Sequence, residues 1–282
     1  MPCDWSKVSI GTTGLRCCRL GLGSSFGVEA ADIEHAFERG IDYFYWGTYR
    51  RGGFRDGVAR LATAGHRERM VVVVQSYTRV AALMRPSLES ALRRLKLEYA
   101  DMLLLGWWNA TPPERILDAA RALVERGRAR HIMISCHDRP TIPVHARTPG
   151  VGAVMVRYNA AHPGAEEDVF PHLPTPRPGV IAYTATRWGD LLNPALVPDG
   201  EPVPRASDCY RFALTNPSVD VCLCGPANRA QVDEGMAALD RGPMDADEIA
   251  WMKRVGAAVK LRGRPQSGPV GIADRMMGAR TP

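Results

Sequence analysis

Short apolar runs recur along the chain at residues 19–23, 42–45, 70–75, 100–105, 131–135, 154–157, 180–183 and 219–223. They are rich in Val, Ile, Leu and Met and lack strict polar alternation, as parallel strands covered on both faces should. Between most of them lie amphipathic segments of helical length. Leu88, Leu92 and Leu95 fall on one face of such a segment, and Ile249, Met252, Val255 and Val259 on one face of another. Thr111-Pro112-Pro113-Glu114 predicts an N-cap threonine, a proline in the first turn and a glutamate closing a capping box. Asn228 with Gln231, and Asp245 with Glu248, repeat that spacing. Eight predicted strands alternating with helices point to a closed (β/α)8 barrel of the TIM type, although a doubly wound open sheet shows the same local pattern. The first strand runs into Gly21-Leu22-Gly23-Ser24-Ser25, which is not the GxGxxG of a dinucleotide-binding open sheet.

Two regions break the alternation. Residues 186–208 form a proline-rich stretch that is long for a connection, and long connections are often functional. Residues 263–282 form a Gly/Pro/Arg-rich tail beyond a single barrel domain assigned to 1–262. The 282-residue length suits one such barrel, which typically takes about 250 residues.

Composition narrows the function classes. The formal charge of +6 is mildly attractive to an anionic ligand. Basic residues are scattered through predicted helices and the aromatic share is 7%, so no nucleic-acid footprint is expected. No apolar run approaches the roughly 18–20 residues of a membrane span, and the first ten residues lack the apolar core of a signal peptide. The seven cysteines include no CxxC pair, which argues against a disulfide framework or a metal site and makes a reducing cytoplasm the expected compartment. Oligomeric state is left open.

Four stretches, in order, resemble the aldo-keto reductases: GIDYFYWGTYR at 40–50, YADMLLLGW at 99–107, GRARHIMIS at 127–135, and NPSVDVCLCGPANRAQVDE at 216–234. Tyr158-Asn159 and residues 179–183 fit the same order. The resemblance implies a (β/α)8 barrel that reduces carbonyls with NADPH. Members use an aspartate, a tyrosine, a lysine and a histidine: the tyrosine protonates the carbonyl oxygen, the lysine–aspartate pair lowers its pKa, and the histidine orients the substrate. Here the aspartate position reads Tyr45, the lysine position Gln75 and the histidine position Gly106. The tyrosine position reads Arg50 in strict register, or Tyr49 if the turn is one residue shorter. Losing lysine alone would strand a buried carboxylate at roughly 3–5 kcal/mol, but here both charges are gone together. Tyr45, Tyr49, Gln75 and His137 are therefore the candidate catalytic residues of a remodelled pocket.

On the cofactor side the resemblance implies Tyr183 as the ring beneath the nicotinamide and Ser135 at its carboxamide, with Arg157 where a glutamine is usual and Cys136 where an asparagine is usual. Thr184, Thr186, Arg187 and Gly189 fall in the pyrophosphate segment. Gly225, Asn228, Arg229, Gln231 and Glu234 fall in the adenosine-phosphate segment, with Arg229 near the 2′-phosphate. The expected cofactor is NADP(H) and the expected substrate a small carbonyl or alcohol. Two other readings stay open: a non-redox lyase or isomerase on the same barrel, and an inactive nucleotide-binding relative.

Overall fold

The computed structural model describes residues 5–47 and 52–263. Tyr49 and the tail from residue 264 lie outside the described residues. An antiparallel hairpin, β1 (Lys7–Ser9) and β2 (Arg16–Cys18), comes first; its strands are too short to register as a periodic pattern. The parallel strands are β3 (Leu20–Gly23), β4 (Tyr43–Trp46), β5 (Val71–Ser76), β6 (Ala100–Leu105), β7 (Ala129–Ser135), β8 (Val151–Arg157), β9 (Gly179–Tyr183) and β10 (Val221–Cys224). They close into a barrel in chain order, with β10 pairing β3. The helices are α1 (Ala30–Glu38), α2 (Gly52–Leu61), α3 (Ala81–Leu95), α4 (Glu114–Glu125), α5 (Ile142–Ala146), α6 (Ala165–Asp168), α7 (Ala206–Thr215), α8 (Arg229–Arg241) and α9 (Ala246–Arg262).

The expected (β/α)8 barrel is present, with local shifts. β6 matches its predicted bounds, whereas β7 and β8 begin earlier, at residues whose neighbours Arg130 and Gly152 interrupt the apolar run. Helix α4 corrects the sequence reading. Its N-cap is Pro113, with no side-chain cap, and Thr111 lies two residues upstream of it. Pro112 precedes another proline, which disfavours the helical region for it, so the helix cannot begin there. The Asp245–Glu248 capping box forms. Asn228 accepts from the Gln231 amide at 3.0 Å, but the Gln231 side chain reaches back to the Ala227 amide instead.

Both faces of each strand are buried, which is why the runs read as continuously apolar. Tyr43, Val73, Met102, Leu104, Met133, Met155, Ile181 and Leu223 point inward and form the barrel's own core. Ile10 and Cys17, from the hairpin, join that core and plug its N-terminal end. The alternate positions, such as Phe44, Val72, Val74, Leu103 and Leu105, pack outward beneath helical residues including Met84, Leu88 and Leu92. Truncating one of these buried leucines to alanine ordinarily costs about 2–5 kcal/mol.

Three aspartates staple the N-terminal ends of the strands. Asp42, just before β4, accepts from Lys7 at 2.5 Å and from the Cys18 amide at 2.6 Å. Asp101, at the start of β6, accepts from Arg67 and from the Val72 amide, both at 2.8 Å, with Arg130 at 3.4 Å. Asp220, just before β10, is held by both terminal nitrogens of Arg177 (2.8 and 2.6 Å) and by the Val180 amide at 2.9 Å.

Candidate active site

At the opposite, C-terminal ends the inward alternation continues from the apolar core into polar groups. Tyr45 follows Tyr43 on the inner face of β4, and Gln75 follows Val73 on β5. The Tyr45 hydroxyl donates to Gln75 Oε1. Gln75 is buried. Space for this pair comes from two glycines. A Cβ at Gly106 would sit 2.2 Å from Gln75 Nε2, and a Cβ at Gly47 would sit 2.2 Å from the Tyr45 hydroxyl. No side chain fits at 106 while Gln75 keeps its place, so positions 75 and 106 are sterically coupled. Burial, with Tyr77 adjacent, pushes the Tyr45 phenol well above its ordinary value. The pair is uncharged: a phenol that keeps its proton, and an amide.

An aromatic arc continues around the mouth. Tyr77 and Trp107 meet edge-on with ring centroids 5.3 Å apart; Trp107 and His137 are 5.8 Å apart, and His137 and Tyr183 are 6.4 Å apart. Trp107 adopts a left-handed φ of 55°, unusual for a bulky residue. Its backbone is tied on both sides: its amide donates to Ser135 Oγ at 3.0 Å, and its carbonyl accepts from Arg79 at 2.8 Å. Such strain, of order 1–3 kcal/mol, persists only where the surroundings enforce it. His137 is pushed below its usual range, first by burial and then by Arg157, so it is neutral at neutral pH. Cys136 is raised to about 11 by burial, which makes it a poor nucleophile. Ser24, in the loop after β3, receives the Gly47 amide at 3.1 Å, and the Tyr77 hydroxyl donates to the Gly47 carbonyl at 3.0 Å.

The segments matched to cofactor binding divide. After β9, Thr184, Arg187, Trp188 and Gly189 all have positive φ, in a loop pinned by Asn159 Nδ2 on the Thr184 carbonyl at 2.8 Å. Thr186 stays right-handed between them. Alternation of the two hands is the geometry by which a loop turns successive amides toward an anion. Arg187 departs from the expected role. Its guanidinium is buried and donates to the Val259 carbonyl near the C-terminus of α9, where the helix dipole favours a cation. Glu234 is likewise committed inside the fold, accepting from the Ser207 hydroxyl at 2.7 Å in the first turn of α7. Arg229 lies at the start of α8 and pairs with Asp32 at 3.1 Å, with its side chain 54% exposed. Gly225 faces the ring of Phe26, which would meet a Cβ there at 2.4 Å.

Tyr45, Gln75, Gly106, Trp107, Ser135, His137, Arg157 and Tyr183 are thus brought to one end of the barrel, while Arg187 and Glu234 are turned into the fold. The sequence reading missed Tyr77, Phe26, Ser24 and Arg79. Tyr77 was discoverable, because it lies two residues beyond Gln75 on the strand alternation; the loop residues carried no periodic signal.

The relatives agree with this architecture. The sequence profile of the aldo/keto reductase family matches residues 22–193. The chain is 25% identical to L-galactose dehydrogenase of Arabidopsis thaliana, over 89% of its own length and 94% of the relative's. An aldo-keto reductase from Klebsiella pneumoniae in complex with NADPH superposes with a TM-score of 0.73 at 25% identity, covering 89% of this chain and 95% of that one. Aldo-keto reductase AKR11C1 from Bacillus halodurans, in its holo form, superposes with a TM-score of 0.76 at 20% identity, covering 89% and 96%. With a family match across more than half its length and the barrel closed in the expected order, this chain belongs to the aldo/keto reductase family.

Proposed function

We propose that the chain is an NADP(H)-binding oxidoreductase whose site has exchanged a charged proton relay for the neutral Tyr45–Gln75 pair. The hydrogen bond between those two residues at the barrel mouth carries this reading. The similar Klebsiella pneumoniae reductase, crystallised with NADPH, supports the choice of cofactor.

The residues present suit a nicotinamide nucleotide. Tyr183 offers its ring at the mouth, beside His137. Ser135 Oγ already accepts from the Trp107 amide, which leaves its proton free to donate to a carboxamide oxygen. The left-handed loop after β9 and the Asn228-capped start of α8 suit phosphate groups. The nicotinamide, when bound, supplies or accepts the hydride. Tyr45 holds its proton at Oη, and Gln75 orients the phenol without acidifying it, because an amide carries no charge. Tyr49 is the other phenol proposed as proton donor. Either one protonates a substrate oxygen less readily than a phenol beside a lysine would, so the substrate is a reactive carbonyl or the turnover is slow.

The test is a titration of the full chain with NADPH and NADH, followed by tryptophan fluorescence. NADPH should bind with a dissociation constant at or below about 1 µM, which corresponds to about −8 kcal/mol. Arg229→Ala should weaken NADPH several-fold and leave NADH nearly unchanged. With a working substrate, removing the true donor (Tyr45→Phe or Tyr49→Phe) should lower turnover by about 10²–10⁴-fold. Absence of NADPH binding overturns the reading and leaves the non-redox lyase or isomerase and a barrel that catalyses nothing.

A further inference from the structure

Arg157 ends β8 on the barrel's inner face, two residues beyond the core residue Met155 and in register with Tyr183 of β9. It is partly buried, and among the described residues no carboxylate or carbonyl pairs with it. Its neighbours differ. Arg139 holds Asp168 at 2.7 Å, and Arg187 holds the Val259 carbonyl. The titratable rings beside it are His137 and His162, and Arg139, Arg187 and Lys260 also act on His162. His137 and His162 are both depressed by burial and by Arg157 itself, His162 to about 4. Tyr183 adds a buried hydroxyl without a partner among the described residues. A half-buried cation with no counter-charge is costly to keep unless something else pairs with it.

We infer that Arg157 and the Tyr183 hydroxyl form a recognition site for a substrate carboxylate, so that the molecule acted on is a small carbonyl or hydroxy acid. The planar guanidinium presents paired donors that match the two oxygens of a carboxylate. Among the described residues it is the cation that ends a strand on the inner face of the layer it shares with Tyr45, Gln75, Gly106 and Ser135. Flat walls from Trp107 and His137 favour a planar body behind the acid group. The oxidation or reduction of that acid rests on the function proposed above; the binding of the carboxylate does not.

The experiment titrates the full chain with benzoate, benzamide and inorganic pyrophosphate, followed by tryptophan fluorescence and calorimetry, with an NADPH titration alongside. Benzoate should bind at least about tenfold more tightly than its neutral isostere benzamide, as expected for hydrogen bonds to a charged group. Arg157→Gln should abolish that preference, and Tyr183→Phe should reduce it several-fold. Equal binding of benzoate and benzamide, full benzoate affinity in Arg157→Gln, or binding of pyrophosphate in preference to benzoate would overturn the inference. If the benzoate preference holds while NADPH fails to bind, the carboxylate site stands and the oxidoreductase reading falls. If NADPH binds without the preference, the reverse follows.

Discussion

The two ends of the barrel place polar groups in confined surroundings by opposite means. At the N-terminal ends Asp42, Asp101 and Asp220 are each paired with a cation and each accept a backbone amide from a neighbouring segment. A recess of about 450 Å³ opens there, and among its lining residues Lys7 pairs with Asp42, and Arg130 with Glu68 and Asp101. At the C-terminal mouth the Tyr45–Gln75 pair is neutral, Arg79 is held by the Trp107 carbonyl, and Arg157 has no counter-charge among the described residues. Paired charge ties the strands together at one end, while at the other a cation is left to meet a ligand.

The difference can be broken from either side. The largest effect should come from Asp101→Asn, which leaves Arg67 and Arg130 facing an uncharged amide in a buried place. Removing one partner of a buried pair typically costs about 3–5 kcal/mol, read as a lower urea midpoint at unchanged slope. A loss below about 1 kcal/mol would mean the N-terminal pairs do not hold the barrel. Next is Gly106→Ala at the mouth. Its methyl would meet Gln75 Nε2, which Tyr45 anchors, so a loss of about 1–3 kcal/mol is expected. In a Gln75→Ser background the same substitution should be nearly neutral, and equal costs in the two backgrounds would show that positions 75 and 106 are not coupled. Smallest should be Arg157→Gln, because no ion pair holds that guanidinium among the described residues. Its unfolding free energy should stay within about 0.5 kcal/mol of the parent or rise. A large loss would reveal a structural partner.

The barrel was legible because burial on both faces imprints continuous apolar runs, and β6 could be delimited to the residue. The hairpin plug was not, since strands of three residues carry no period. At the site, Tyr45 and Gln75 were legible as residues, from motif position, but their hydrogen bond needed the barrel to close and set the register of β4 against β5. Arg187 shows the limit. Its place in the loop suggested an anion contact, whereas the tertiary packing of α9 supplies carbonyls that claim it. Likewise the proline pair at 112–113 reads as a helix start, yet it displaces the cap by two residues.

The account rests on an uncharged Tyr45–Gln75 pair, and the most direct test is the ionisation of Tyr45. Ultraviolet absorbance near the phenolate band should be followed against pH for the parent and for Tyr45→Phe, and the two curves subtracted. Because burial and the neighbouring Tyr77 hold the phenol well above its ordinary value of 10.0, and Gln75 contributes no charge to oppose them, the subtracted curve should stay flat up to about pH 10. A one-tyrosine step at or below about pH 9 would mean that a cation acidifies Tyr45 after all, and the neutral-pair account would be wrong.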